Sequence, residues 1–220
     1  MKLLALETAN EQCSVAITHD TNLVFNMVNH QAKMQTQTLL PMIEQGLQHC
    51  KIQSHDLDVI AFSRGPGSFS GVRINAAVTQ ALAWAHDLPV VPVSTLQALA
   101  QAAYRLHGLT EVTTVLDAKM KEVYLAHFVL DHDKIMQPFG EEQLLNYVDA
   151  QTQMKFTLVG SGGPLLKPFS TFGGIAATAE DIAYLGHYYA AKKVWVDAEH
   201  ALPVYLRDNA WKKIAEQGKA

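Results

Sequence analysis

Short apolar runs open the chain: Leu3–Leu6, Cys13–Ile17 and Leu23–Val28, with His19, Asp20, Thr21 and Asn22 between the second and third. Runs of this length bounded by turn formers predict three strands, and the tight turn predicts an antiparallel meander. From about Gln31 to Cys50 the period changes. Met34, Leu39, Met42, Ile43 and Leu47 recur at three- and four-residue steps, which predicts a helix. Pro41 lies inside it and predicts either a kink or the point where the helix starts in earnest.

The apolar run Val59–Phe62 then enters a turn-rich stretch from Arg64 to Gly71, a helical pattern follows from about Gly71 to His86, and Pro89–Val93 reads as another strand. Strand, glycine loop, helix and strand make a βαβ unit, hence a parallel pair with a right-handed crossover. Ser94 predicts a helix cap, with Gln97 at the capping-box position and Gly108 as the C-terminal stop. A similar grammar restarts at Val112: strands over Val112–Leu116 and Glu122–Leu130, joined by Asp117–Lys121 and followed by a turn at Asp131–Lys134. Phe156–Val159 with Ser161-Gly162-Gly163-Pro164 reads as a further strand and turn, and residues 180–192 as a helix. Both halves open with a strand hairpin, so the chain reads as a two-lobed α/β protein, residues 1–108 and 109–220, with a hinge near His107–Glu111.

At 220 residues and 49% apolar the chain can bury a full core, so disorder is excluded as the default. A net charge of −4, with 17 basic residues spread along the chain, leaves no broad phosphate-binding footprint. The first apolar run meets Glu7 too early for a secretory leader, and no run reaches the length of a bilayer span. Cys13 and Cys50 form no CxxC pair, which predicts reduced thiols in a cytoplasmic setting.

The sharpest local feature is the glycine loop of Gly65, Pro66, Gly67, Ser68, Phe69 and Gly71. Glycines ahead of a helix N-terminus can build an anion site. The Gly-Lys-Ser/Thr ending of a phosphate loop is absent, however, and Val72-Arg73 stands there instead. From spacing alone the plainer reading, a tight strand-to-helix turn, is favoured. The first hairpin, Glu7 to Ser14, contains no glycine at all, and the first of the chain is Gly46. Glu7 beside Thr8 offers a carboxylate without a backbone phosphate cradle, a poor nucleotide site. Asp117, at the matching place in the second lobe, reads as a turn or cap aspartate, and Ser161-Gly162-Gly163 as a plain loop. No two of the ten histidines stand four apart, so no helical metal pair exists; His127 and His132 read as solvated. Neither cysteine nor Ser63 lies in a nucleophile signature.

The helix after the glycine loop is apolar nearly all round, with polar breaks only at Arg73, Asn75, Thr79 and Gln80. Such a helix must be covered on both sides, by the sheet and a partner, or entirely within the monomer.

Jointly, Leu4-Ala-Leu-Glu-Thr-Ala-Asn-Glu-Gln-Cys-Ser-Val-Ala-Ile17, Arg64-Gly-Pro-Gly-Ser-Phe-Ser-Gly-Val-Arg-Ile74, Val93-Ser-Thr-Leu96, Asp117-Ala-Lys-Met-Lys-Glu-Val-Tyr124 and Pro203-Val-Tyr-Leu-Arg207 resemble the TsaB (YeaZ) family. The resemblance implies an actin-like ATPase (ASKHA, RNase H-like) fold with a reduced second lobe and a degenerate nucleotide site. It implies a non-catalytic subunit that binds TsaD, with TsaE as an associated ATPase, for threonylcarbamoyl transfer to N6 of the tRNA adenosine 3′ of the anticodon. It further implies a homodimer when alone, tRNA contacted only through the complex, and no cofactor of its own, ATP or ADP and a metal ion residing in the partners or at a composite interface. The family pairs through the helices flanking the glycine loop, and helical spacing there selects Met34, Thr38, Met42, Val72, Arg73, Ala76, Ala77, Gln80 and Trp84 as the contact set. Ser70 and Asn75 stand where threonine and glycine are commoner, and Gln35 where a histidine often is, which weakens a metal reading. The basic tail after Trp211 is compatible with either disorder or approach to tRNA. The competing classes are a small-molecule kinase or ATPase using the interlobe cleft and, ranked last, a metal peptidase.

Overall fold

The computed structural model describes residues 1–31, 34–169 and 172–207. Strands β1 (Lys2–Glu7), β2 (Cys13–His19) and β3 (Asn22–Asn29) lead into α1 (Gln35–Cys50), then β4 (Val59–Gly65), α2 (Phe69–His86), β5 (Val90–Ser94) and α3 (Thr95–His107). The second half holds β6 (Glu111–Lys119), β7 (Glu122–Leu130), β8 (Met136–Pro138), β9 (Gln143–Asn146), α4 (Tyr147–Thr152), β10 (Thr157–Val159), α5 (Gly163–Leu166) and α6 (Ala179–Ala191). The first sheet has the order β3-β2-β1-β4-β5, antiparallel across the meander and parallel from β1 to β5; the second has β10-β6-β7-β8, with β9 also on β7.

Both faces of the first sheet are covered, which is why its strands read as continuous apolar runs. Leu4, Leu6, Ile60 and Phe62 point to α1 and α2, whereas Leu3, Ala5, Val59 and Ala61 point to α3 and α6. That second layer also takes Val112, Ala126, Phe128 and Met136 from the other sheet, so one apolar cluster is shared by both lobes. The outer face of the second sheet closes on α4 and α5 through Val115, Val123, Leu125, Ala150 and Leu166. A Cβ on Gly186 would stand 2.6 Å from Ala61 Cβ, and this small-residue contact lets α6 lie close on the first sheet.

Several expectations shift in detail. The first helix does not begin at Pro41 but runs through it from Gln35. α2 begins two residues before Gly71, at Phe69, capped by the Ser68 hydroxyl. Gln97 forms no reciprocal box with Ser94: the Ser94 hydroxyl accepts from Gln97 N, but the Gln97 amide donates to Met136 O (3.0 Å) and accepts from Tyr189 OH (2.9 Å). Buried between two sheets, that amide needs tertiary partners more than it needs its own cap.

Candidate functional site

The glycine loop and the β1–β2 hairpin pack on each other. Ser68 N donates to Ala9 O (2.7 Å), and Thr8 Oγ1 donates to Gly71 O (2.8 Å). A Cβ on Gly67 would stand 2.3 Å from Ala9 O, and one on Gly71 2.0 Å from Thr8 O. The backbone approach that glycine permits is therefore made to the protein's own hairpin. With the Ser68 N–H bound to Ala9 and the Gly71 N–H to the Ser68 hydroxyl (3.4 Å), the start of α2 is already capped from within the chain.

Thr8 and Glu7 are fully buried, and neither lines the cleft between the lobes. The parity of β1 explains it: Leu3 and Ala5 face the inner helical layer, and Glu7 follows on the same side. Its Oε1 accepts from Ala9 N (2.6 Å), while Oε2 is buried without a hydrogen-bond partner. Burial pushes its pKa up to about 7, against hydrogen bonds from Ser63 and the backbone of Ala9 and Asn10. Asp117 does line the cleft, where its carboxylate accepts from Lys119 N (2.8 Å) and pairs with Lys119 Nζ (2.7 Å). Glu7 and Asp117 thus do not converge on a common ligand. The cleft encloses about 1160 Å³, bounded by Asn10, Gly67 and Arg73 on one side and by Asp117, Tyr124 and Ser161 on the other.

Among the described residues, one group brings three metal-ligand atoms within 4.8 Å of one another: Asp197, Glu199 and His200, all exposed and none of them in the cleft. His127, expected to be solvated, is instead buried: its Nδ1 meets the hydroxyl of its cross-strand neighbour Thr113 at 2.9 Å, its ring stands edge-on to Phe156, and burial pushes its pKa down. His132 is exposed.

The expected contact set divides. Met42, Val72 and Ala76 lie within the protein's own core and offer a partner little surface. Ala77 and Trp84 are exposed, the latter at 72%, and Met34, Thr38, Arg73 and Gln80 are half-buried. Thr38 Oγ1 donates to Met34 O (2.9 Å), and the Arg73 guanidinium donates to Phe69 O (2.7 Å) and lies 3.5 Å from the Phe69 ring centroid. α2 is apolar on both faces, with Val72, Ala76 and Ala83 buried against its own lobe. Its polar Asn75 and Thr79 are buried, and its apolar Ala77, Ala81, Trp84 and Ala85 face outward. Asn75 is accommodated because its amide donates to Leu6 O (3.2 Å), Ser63 O (3.1 Å) and Ser63 Oγ (2.8 Å). Ala81 and Ala85 share the exposed side of α2, and Leu40 of α1 is also exposed; helix periodicity marks a face without saying which side the sheet takes.

Two α/β lobes around a cleft, with a 3-2-1-4-5 first sheet, define a protein of the actin-like class, and the model of a family described as "TsaD: tRNA N6-adenosine threonylcarbamoyltransferase" matches residues 23–185. Within that class the chain belongs to the TsaB family. It is 35% identical to "tRNA threonylcarbamoyladenosine biosynthesis protein TsaB" of Escherichia coli K12, over 97% of this chain and 98% of that protein. The protein of the same name from Haemophilus influenzae is also 35% identical, with 97% of each chain covered. Among solved structures, "YeaZ from Pseudomonas aeruginosa" superposes with a TM-score of 0.85 at 35% identity, covering 93% of this chain and 99% of that one. No helix among the described residues is long and apolar enough to cross a membrane.

Proposed function

We propose that this chain acts in tRNA threonylcarbamoyladenosine synthesis as a non-catalytic scaffolding subunit that binds TsaD, with TsaE, for transfer of the threonylcarbamoyl group to N6 of the adenosine 3′ of the anticodon. The observation that carries this reading is the outer face of α2: Ala77, Ala81 and the 72%-exposed Trp84 face outward from a helix that already buries Val72, Ala76 and Ala83 against its own lobe. An apolar helix face left in water is an interface awaiting a partner. Alanines let a second helix come close, and Trp84 supplies an anchor of the kind that dominates interface energetics. The same face serves a homodimer when the chain is alone. The working protein is cytoplasmic, meets tRNA through the complex, and leaves ATP or ADP and the metal ion to its partners or to a composite interface. Internal engagement of the glycine loop, with Ser68 N on Ala9 O, supports a chain without a nucleotide grip of its own.

Co-expression with TsaD followed by gel filtration is expected to give one co-eluting peak; two separate peaks at micromolar concentration would refute the assignment. Because Ala77 is exposed, Ala77→Glu is expected to change the isolated chain's stability by less than about 0.5 kcal/mol. In the complex the same charge is desolvated without a counter-charge, so affinity for TsaD should fall by about a hundredfold or more. Unchanged affinity in a titration would move the interface elsewhere. Calorimetric titration of the isolated chain with ATP and magnesium is expected to show no binding, and tight binding with turnover would restore the kinase reading. At the level of the pathway, mass spectrometry of tRNA nucleosides from depleted cells should show threonylcarbamoyladenosine lost and then restored by this sequence.

A further inference from the structure

The last described residues cross from one lobe to the other. Val196 exchanges backbone hydrogen bonds with Val90 (2.9 and 2.8 Å), and Ala198 and Ala201 are buried in the first lobe's outer core, so the segment starts firmly attached there. Val204 N then donates to Arg64 O (2.8 Å) at the end of β4, and the Tyr205 ring centroid lies 4.8 Å from the Arg73 guanidinium in the first turns of α2. Two residues on, Arg207 reaches the β6–β7 hairpin of the second lobe. Its guanidinium donates to the Glu122 carboxylate (2.5 Å), Ala118 O (3.1 Å) and Met120 Sδ (2.9 Å). Residues 204–207 all line the cleft, so this crossing spans it.

The landing point is unusual. Lys119, Met120 and Lys121 follow one another at φ of +61°, +57° and +62°, and none is glycine. Non-glycine residues in the left-handed region persist where surrounding contacts hold them, and here Arg207 grips the turn from inside through a carbonyl, a sulfur and a carboxylate. The grip is also incomplete: Arg207 Nε is buried without a hydrogen-bond partner, which weakens the closed arrangement. The Arg207–Glu122 pair is partly open to water, at 23% and 34% side-chain exposure, and so is open to screening by salt.

We propose that residues 204–207 are an interlobe latch: Arg207 anchors the β6–β7 hairpin across the cleft, Tyr205 carries that anchorage to Arg73 at the start of α2, and the Arg207–Glu122 pair is the release point. The latch ties the opening of the cleft to the helix that carries the exposed apolar face. It rests on contacts within this chain and stands whether or not TsaD is the partner.

Hydrogen exchange read by mass spectrometry on the full chain tests it, comparing wild type, Arg207→Ala, Glu122→Gln and the double variant. Each single change is expected to speed exchange of residues 117–124 and 202–207 by about tenfold or more, with a smaller rise over 69–73 and none in the first sheet. The double variant should match the stronger single, because both remove the same contact. Exchange unchanged at the hairpin in both singles, a rise confined to 117–124, or a double effect equal to the product of the singles would each overturn the latch. Should a variant fail to fold, the wild-type chain decides: raising salt from about 0.05 M to about 1 M is expected to loosen the same three segments together, and indifference of the hairpin to salt would overturn the proposal.

Discussion

Gly71→Ala is expected to destabilise the protein by about 3 kcal/mol, since a methyl at this position must displace backbone and cannot rotate away. The added Cβ would stand 2.0 Å from Thr8 O and 3.1 Å from Thr8 C, on a segment already fixed by the Thr8 hydroxyl bonded to Gly71 O. The sign is diagnostic. In an open helix first turn the same change would raise helix propensity and stabilise by up to about 1 kcal/mol. Urea unfolding decides between them, and at this chain length the loss corresponds to a Tm roughly 10 °C lower. Gly174→Ala is the control, because a Cβ there meets nothing within 4 Å and its φ is not in the left-handed region. A neutral or stabilising Gly71→Ala would mean that the loop is free of the hairpin and available to an anion after all.

The same contact shows what the residues alone could and could not convey. The meander and the βαβ unit were legible because their apolar runs are bounded by turn formers, and both faces of β1 are buried in the structure. Gly108, as the stop of α3, was legible from its type, and it takes the left-handed cap at φ +66°. Gly67 and Gly71 were legible as places of close approach, but not what approaches, since the hairpin that fills them lies some sixty positions earlier. The short β8, β9, α4 and α5 carry three to six residues each, too few for a period to register. The orientation of α2 escaped because it is apolar on both sides and its buried side also carries Asn75 and Thr79, residues that read as solvent-facing until Leu6 O and Ser63 are found to accept from the Asn75 amide. The basic tail after Trp211 lies outside the described residues. Glu7 is the instructive case: the residues marked it as part of a poor nucleotide site, and only the structure shows it buried on the side of β1 that carries Leu3 and Ala5.

That burial gives Glu7 the largest expected pH effect. Its pKa in the folded chain lies at about 7 against an ordinary 4.5, raised first by desolvation and further by the nearby charge of Asp181, which itself pairs with Arg105 at 2.8 Å. Between those two values the folded state holds a proton that the unfolded chain has released, so stability is highest below about 4.5, falls as pH rises and is fully reduced above about 7. A shift of this size corresponds to about 3 kcal/mol. The histidines act the other way: burial pushes the pKa of His127 and of His187 down, so their contribution favours the folded state as pH rises toward 6.5. Glu7→Gln separates the two, since it leaves the histidines untouched and fixes the side chain in a neutral form of the same shape. Urea unfolding from pH 5 to pH 9 is expected to show the two proteins within about 1 kcal/mol at pH 5 and the variant more stable by about 3 kcal/mol at pH 8. A difference independent of pH would show that Glu7 is ionised throughout, with its second oxygen solvated or paired, and would remove the neutral acid from the junction of the hairpin and the glycine loop.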